Sequence, residues 1–154
     1  MKIALDTNVW LDWFYFNDLR VRPLKVLHSN KIIEILIDEA CLNELSTVLA
    51  YDQFLGLEAD KPTYEKEVLA LCTFVETKKS EKPVFWCRDP DDIKFLNLAS
   101  KHDITHLISK DLHLLKRKNR RKLESGKMTF SIVTLDGFLK TYNHLLTAEE
   151  SFKK

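Results

Sequence analysis

The feature that most restricts this chain is an apolar run, Ile3-Ala4-Leu5, that stops on a carboxylate, Asp6. Thr7 and Asn8 follow, and then a segment dense in aromatics from Val9 to Phe16. Apolar residues running into an acid, a hydroxyl and an amide read as a buried strand that ends where a helix begins. In an open α/β sheet, ligands bind along the edge formed by the carboxyl ends of the strands. Two readings of Asp6 stay open at this point. It caps the next helix, or it stands on that edge as a working carboxylate.

The pattern recurs along the chain. Pro23 opens a short helix through Leu24, Val26 and Leu27. Ile32–Ile37 reads as a second strand and runs into Asp38-Glu39-Ala40, the start of a helix to about Tyr51. Cys41, Leu42, Leu45, Val48 and Leu49 form its apolar stripe, with Glu44 at the margin and Glu39 turned further away. Thr63 caps a predicted helix that runs to Glu76, and Val84–Trp86 is a third strand. Asp89-Pro90 marks a turn before a helix that starts at Asp91 or Asp92. Asp92 shares a face with Leu96 and Ala99, and a carboxylate aimed among apolar neighbours needs a partner. His106–Ser109 is a fourth strand, followed at once by Lys110 and Asp111. Phe130–Val133 leads through Thr134 into a last helix, Gly137–Leu146. Alternating strands and helices predict a three-layer α/β/α sandwich with a central, mostly parallel sheet. Residues 1–146 make one domain, with a polar C-terminal tail at 147–154.

A chain of 154 residues suits one domain with a proper core. No apolar run is long enough to span a bilayer, and Asp6 interrupts any leader-like stretch, so a cytoplasmic protein is expected. The three cysteines are widely spaced and form no C-x-x-C pair, which argues against a zinc site or a disulfide framework. Net charge is only +1, yet residues 100–128 carry +6 and the remainder −5. The density peaks at Lys116, Arg117, Lys118, Arg120, Arg121 and Lys122, with Lys110 upstream. Such a block on a mildly acidic body is either a solvated face or a contact for a polyanion.

Right-handed crossovers would bring Asp6, Asp92 and Asp111 to one sheet edge, with Glu44 on the helix rising from it. Four carboxylates in one pocket repel, and a hard divalent cation relieves the repulsion. All-oxygen ligation favours Mg²⁺ or Mn²⁺. A coordinated water can then attack a phosphodiester, with or without a second ion, while the basic block holds a nucleic-acid backbone. Residue types alone thus point to a nuclease.

Leu-Asp-Thr-Asn-Val at 5–9, Leu-Asn-Glu-Leu at 42–45, the stretch Arg88–Ala99 and Ile-Ser-Lys-Asp at 108–111 resemble, in that order, the motifs of PIN-domain proteins. The likeness runs over about residues 2–140 and is greatest to the toxin branch of bacterial toxin–antitoxin systems related to VapC. It implies an α/β/α sandwich, Mg²⁺- or Mn²⁺-dependent cleavage of RNA, homodimers, and inhibition by a small antitoxin partner. The family's acidic positions fall on Asp6, Glu44, Asp92 and Asp111, the first, third and fourth as metal ligands. Asn8 and Ser109 match the polar residues that hold those acids. Where many members carry a further acid two residues past Asp111, this chain has His113, which bears on metal affinity and on a second ion. The alternative is a PIN-like module that binds RNA or protein and cuts weakly or not at all. A haloacid-dehalogenase-like phosphatase would need an Asp at the place of Asn8, and a response-regulator receiver would need paired acids near the first strand.

Overall fold

The computed structural model describes residues 1–14, 16, 18–49, 61–77, 85–87, 93–111, 115, 120–122 and 130–152. Five strands form one parallel sheet: β1 (Lys2–Leu5), β2 (Glu34–Ile37), β3 (Cys72–Phe74), β5 (His106–Ile108) and β7 (Ser131–Val133), in the order β3-β2-β1-β5-β7. Burial follows that order. Ile3, Ala4 and Leu5 in the middle are at most 2% exposed, and Ile35–Ile37, Leu107 and Ile108 are also buried. Phe74 on one edge is 51% exposed, and Ser131 on the other is open to solvent. Consecutive apolar residues with no polar alternation are what a strand covered on both faces requires.

The helices are α1 (Thr7–Phe14), α2 (Arg22–Ser29), α3 (Glu39–Leu49), α4 (Lys61–Leu71), α5 (Ile93–Lys101) and α6 (Leu135–Phe152). α1 packs on α3, α3 on both α4 and α5, and α2 on α6, while α5 also lies against β1 and β5. Pro23 stands in the first turn of α2, where its missing N–H costs nothing. That helix stops at Lys31, whose φ of 61° turns the chain left-handed so that the Ile32 amide returns to the Leu27 carbonyl at 3.0 Å.

Four sequence expectations are corrected. Residues 72–74, read as the end of a helix from Thr63 to Glu76, are strand β3 after a helix that ends at Leu71. Cys72-Thr73-Phe74 is too short an apolar run for periodicity to separate the two states, and pairing with β2 decides it. The strand expected at Val84–Trp86 is β4 (Phe85–Cys87), and it lies outside the main sheet. It pairs antiparallel with β6 (Arg120–Lys122), so part of the basic block is a strand. The last helix begins at Leu135, where the Thr134 hydroxyl caps the Gly137 amide at 3.0 Å, and it runs past Leu146 to Phe152 with a kink at Tyr142.

From β1 the chain winds outward through β2 to β3, then returns across the sheet to β5 on the other side of β1. The winding direction therefore reverses between β1 and β5. At such a reversal the connections diverge and leave a crevice at the carboxyl ends of the two strands.

Candidate functional site

Asp6 and the segment Ser109-Lys110-Asp111 follow β1 and β5 directly, so the crevice belongs to them. Register puts Leu5 opposite Ile108, and the Asp6 amide continues the ladder to the Ile108 carbonyl at 3.0 Å. Asp6 is only 3% exposed. Its Oδ1 accepts from the Val9 amide at 3.1 Å, which caps α1, and its Oδ2 accepts from the Ser109 hydroxyl and from the Lys110 amide at 3.2 Å. Asp6 is therefore a helix cap, and it stands buried at the carboxyl end of β1. The Ser109 hydroxyl, fully buried, also accepts from the Asp111 amide at 2.9 Å. One hydroxyl thus fixes Asp6 and the backbone of Asp111 relative to each other.

Burial raises the Asp6 carboxyl above its ordinary value. Bonds from Ser109, Val9 and Lys110 oppose that rise, and the charge of Asp111 adds to it. The crevice therefore holds a desolvated acid with a second acid near enough to be felt.

Glu44 joins the group through Thr7. The Thr7 hydroxyl, one residue past Asp6, donates to Glu44 Oε2, and Lys94 Nζ donates to Glu44 Oε1 at 2.8 Å. The marginal place of Glu44 on its helix, expected from periodicity, is that of a side chain 24% exposed. Asn8 is exposed in the first turn of α1. Lys110, expected among the nucleic-acid contacts, has its ammonium 2.8 Å from Asp12 Oδ2, and Asp12 is buried in α1. Asp92, His113, Lys116, Arg117 and Lys118 lie outside the described residues, as do the side chains of Arg120, Arg121 and Lys122. Among the described residues no three His, Cys, Asp or Glu side chains form a metal-binding group.

Thr7, Asp12 and Lys94 were not singled out by sequence reasoning. Lys94 left a signal: a cation in the first turn of a helix opposes the macrodipole and calls for a carboxylate partner. Thr7 and Asp12 left none that separates them from ordinary helix residues. Burial pushes the Cys41 thiol well above its ordinary value and the Cys72 thiol up to about 12, so neither of these two is a reactive thiolate.

The donor set suits a hard cation. Mg²⁺ takes one or two carboxylates and keeps several waters, so Asp6 and Asp111 suffice in number. Asp6 Oδ1, with one hydrogen bond among the described residues, has a lone pair to spare. No helix among the described residues is long and apolar enough to cross a membrane.

A family model described as PIN domain matches residues 2–113. Among solved structures, the fold is similar to a chain in the crystal structure of VapBC2 from Rickettsia felis bound to a DNA fragment from their promoter. That match has a TM-score of 0.57 and 10% identity, and covers 86% of this chain and 97% of the other. It is also similar to PAE2754 from Pyrobaculum aerophilum, with a TM-score of 0.55, 16% identity, and coverage of 96% and 90%. No functionally curated protein matches the sequence.

Proposed function

This chain belongs to the PIN-domain family, and from that premise we propose that it is a divalent-metal-dependent endoribonuclease, the toxin of a toxin–antitoxin pair. The observation that carries the reading is the coupling of Asp6 to Asp111 through Ser109, at the point where the sheet reverses its winding.

Asp6 and Asp111, with Asp92, would hold Mg²⁺ or Mn²⁺. When bound, the cation supplies activation of water and neutralisation of charge at the phosphodiester. The chain's own residues set the geometry. Ser109 and the amides of Val9 and Lys110 lock the Asp6 carboxylate in one rotamer. Thr7 and Lys94 aim Glu44 from the adjoining helix, where it can orient the attacking water or take its proton. In the hydrolysis a proton of the attacking water would pass to the base and the water oxygen would bond to phosphorus, while the P–O bond to one ribose oxygen breaks and that oxygen takes up a proton. The block Lys116, Arg117, Lys118, Arg120, Arg121 and Lys122 would contact the RNA backbone, which fixes position without reading sequence, and Lys110 would join it only by leaving its pair with Asp12. A small antitoxin would block the crevice, the chain would act as a homodimer, and the setting would be cytoplasmic.

The test is cleavage of single-stranded RNA by the purified protein. Activity is expected with Mg²⁺ or Mn²⁺, none with EDTA, and loss of at least about 100-fold in Asp6→Ala and Asp92→Ala, the scale of one transition-state contact. Cleavage that survives in both variants overturns the assignment. One observation favours a second reading, a module that binds RNA or protein without cutting: Glu44 is held by Lys94 in an ion pair. RNA binding with no cleavage under Mn²⁺ selects that reading.

A further inference from the structure

A second cleft, of about 970 Å³, opens beside the crevice, at the carboxyl ends of β2 and β3 and against α5. The two spaces share Lys94, which lines the cleft and grips Glu44. The lining is unsuited to phosphate. Glu39 and Glu76 carry negative charge into it, and its amine, Lys94, is already paired. The same lining suits a neutral, planar group that donates hydrogen bonds. Phe74 stands on the rim with half its surface open, on an edge strand. Asn43 and Asn97 bring side-chain amides. The Asn97 Oδ1 is buried without a hydrogen bond among the described residues, so that acceptor has no partner among them.

We propose that this cleft is a nucleobase subsite. An unstacked base of the RNA lies on the face of Phe74 and turns its amino-bearing edge to the carboxylates of Glu39 and Glu76 and to the amide of Asn97. Stacking on an aromatic side chain is how single-stranded bases are generally held, and edge contacts then select among them. The Glu39 and Glu76 carboxylates accept and do not donate, so adenine, cytosine and guanine are favoured over uracil, which has no amino group. The inference rests on the ribonuclease reading, because it takes the base from the strand being cut.

The experiment uses the full chain and synthetic single-stranded RNAs in which each nucleotide in turn is replaced by an abasic one or by uridine. Cleavage is followed with Mg²⁺, and affinity is followed by fluorescence anisotropy with EDTA present, so that binding is read without turnover. One position is expected where the parent prefers an amino-bearing base to the abasic site by about ten-fold, the scale of a single stack. That preference is expected to vanish in Phe74→Ala and in Phe74→Leu, the latter keeping apolar bulk without a flat ring. In Asn97→Ala the amino-bearing base should lose its advantage over uracil. An unchanged preference in both Phe74 variants overturns the subsite, and so does an equal loss for base-bearing and abasic RNA. If the parent binds with this dependence on Phe74 but never cuts, the subsite stands and the nuclease reading falls.

Discussion

Two neighbouring strands in this molecule end the same way and lead to different things. β1 ends on Asp6 and β2 on Asp38, and each acid is 3% exposed. Each caps the next helix through Oδ1, Asp6 with the Val9 amide at 3.1 Å and Asp38 with the Cys41 amide at 3.0 Å. Each accepts through Oδ2 from a hydroxyl on the segment after an adjoining strand, Ser109 for Asp6 and Thr77 for Asp38. The difference lies behind the hydroxyl. Ser109 accepts from the amide of another acidic residue, Asp111, whereas Thr77 accepts from His102 Nε2 at 3.0 Å. Asp38 thus leads to an imidazole, and Asp6 leads to a second acidic residue. The winding reverses beside β1 but continues in one direction from β2 to β3. A buried acid at a strand end is therefore a cap by default. The two junctions differ in whether the hydroxyl ties a second acidic residue to the first.

The largest expected effect separates the two directly. In Asp6→Ala and Asp111→Ala, the rise in melting temperature on adding Mg²⁺ should disappear. A ligand at about 100 times its Kd contributes about 2.7 kcal/mol to the folded state, easily seen by calorimetry. Asp38→Ala should keep that rise and instead lose about 1–3 kcal/mol of stability, having left the Cys41 amide and the Thr77 hydroxyl unmatched. If Asp38→Ala abolishes the metal response as completely as Asp6→Ala, the two junctions are not different in kind.

The hydroxyls come next. Ser109→Ala removes a bond to Asp6 and an acceptor for Asp111 in a fully buried position, so about 1–3 kcal/mol and a measurable weakening of Mg²⁺ binding are expected. Thr77→Val should cost about 1 kcal/mol in urea unfolding and leave metal affinity alone.

A pH titration sharpens the contrast by accounting for a group outside both junctions. Burial against β7 and α6 lowers the pKa of His106 below its ordinary 6.5. The unfolded chain then binds the proton more readily, so stability rises with pH through the window below about 6.5 and is lost as pH falls through it. His106→Gln should flatten that part of the stability profile, and a profile left as steep would assign the slope to other groups. The smallest effect is expected at Lys31, held at φ 61°. Lys31→Gly should stabilise by about 0.5–1 kcal/mol, read as a higher urea midpoint.

Much of this was legible in the sequence, for reasons the junctions make plain. Ile3–Leu5 and Glu34–Ile37 announced buried parallel strands because a strand covered on both faces needs apolar residues without alternation. The placing of Asp6 and Asp111 on one sheet edge followed from the crossover rule. Local pattern, however, could not tell Asp6 from Asp38, since both close an apolar run and open a helix. Only the order of motifs along the chain separated them. Strand β3 stayed hidden because an edge strand of three residues looks like the last turn of the helix before it. The Thr7–Glu44 and Lys94–Glu44 contacts stayed hidden because they join residues 37 and 50 positions apart, and pairwise contact at that range is not written in any window.

The small antiparallel ladder of β4 and β6 has a mechanical corollary. It sets Cys87 opposite Arg120, and Arg88, the next residue along, begins the motif that carries Asp92. A strand of consecutive basic residues is thereby paired with the strand that precedes the Arg88–Ala99 motif in sequence. A force applied to Arg120–Lys122 would therefore be felt across three residue pairs by Phe85–Cys87.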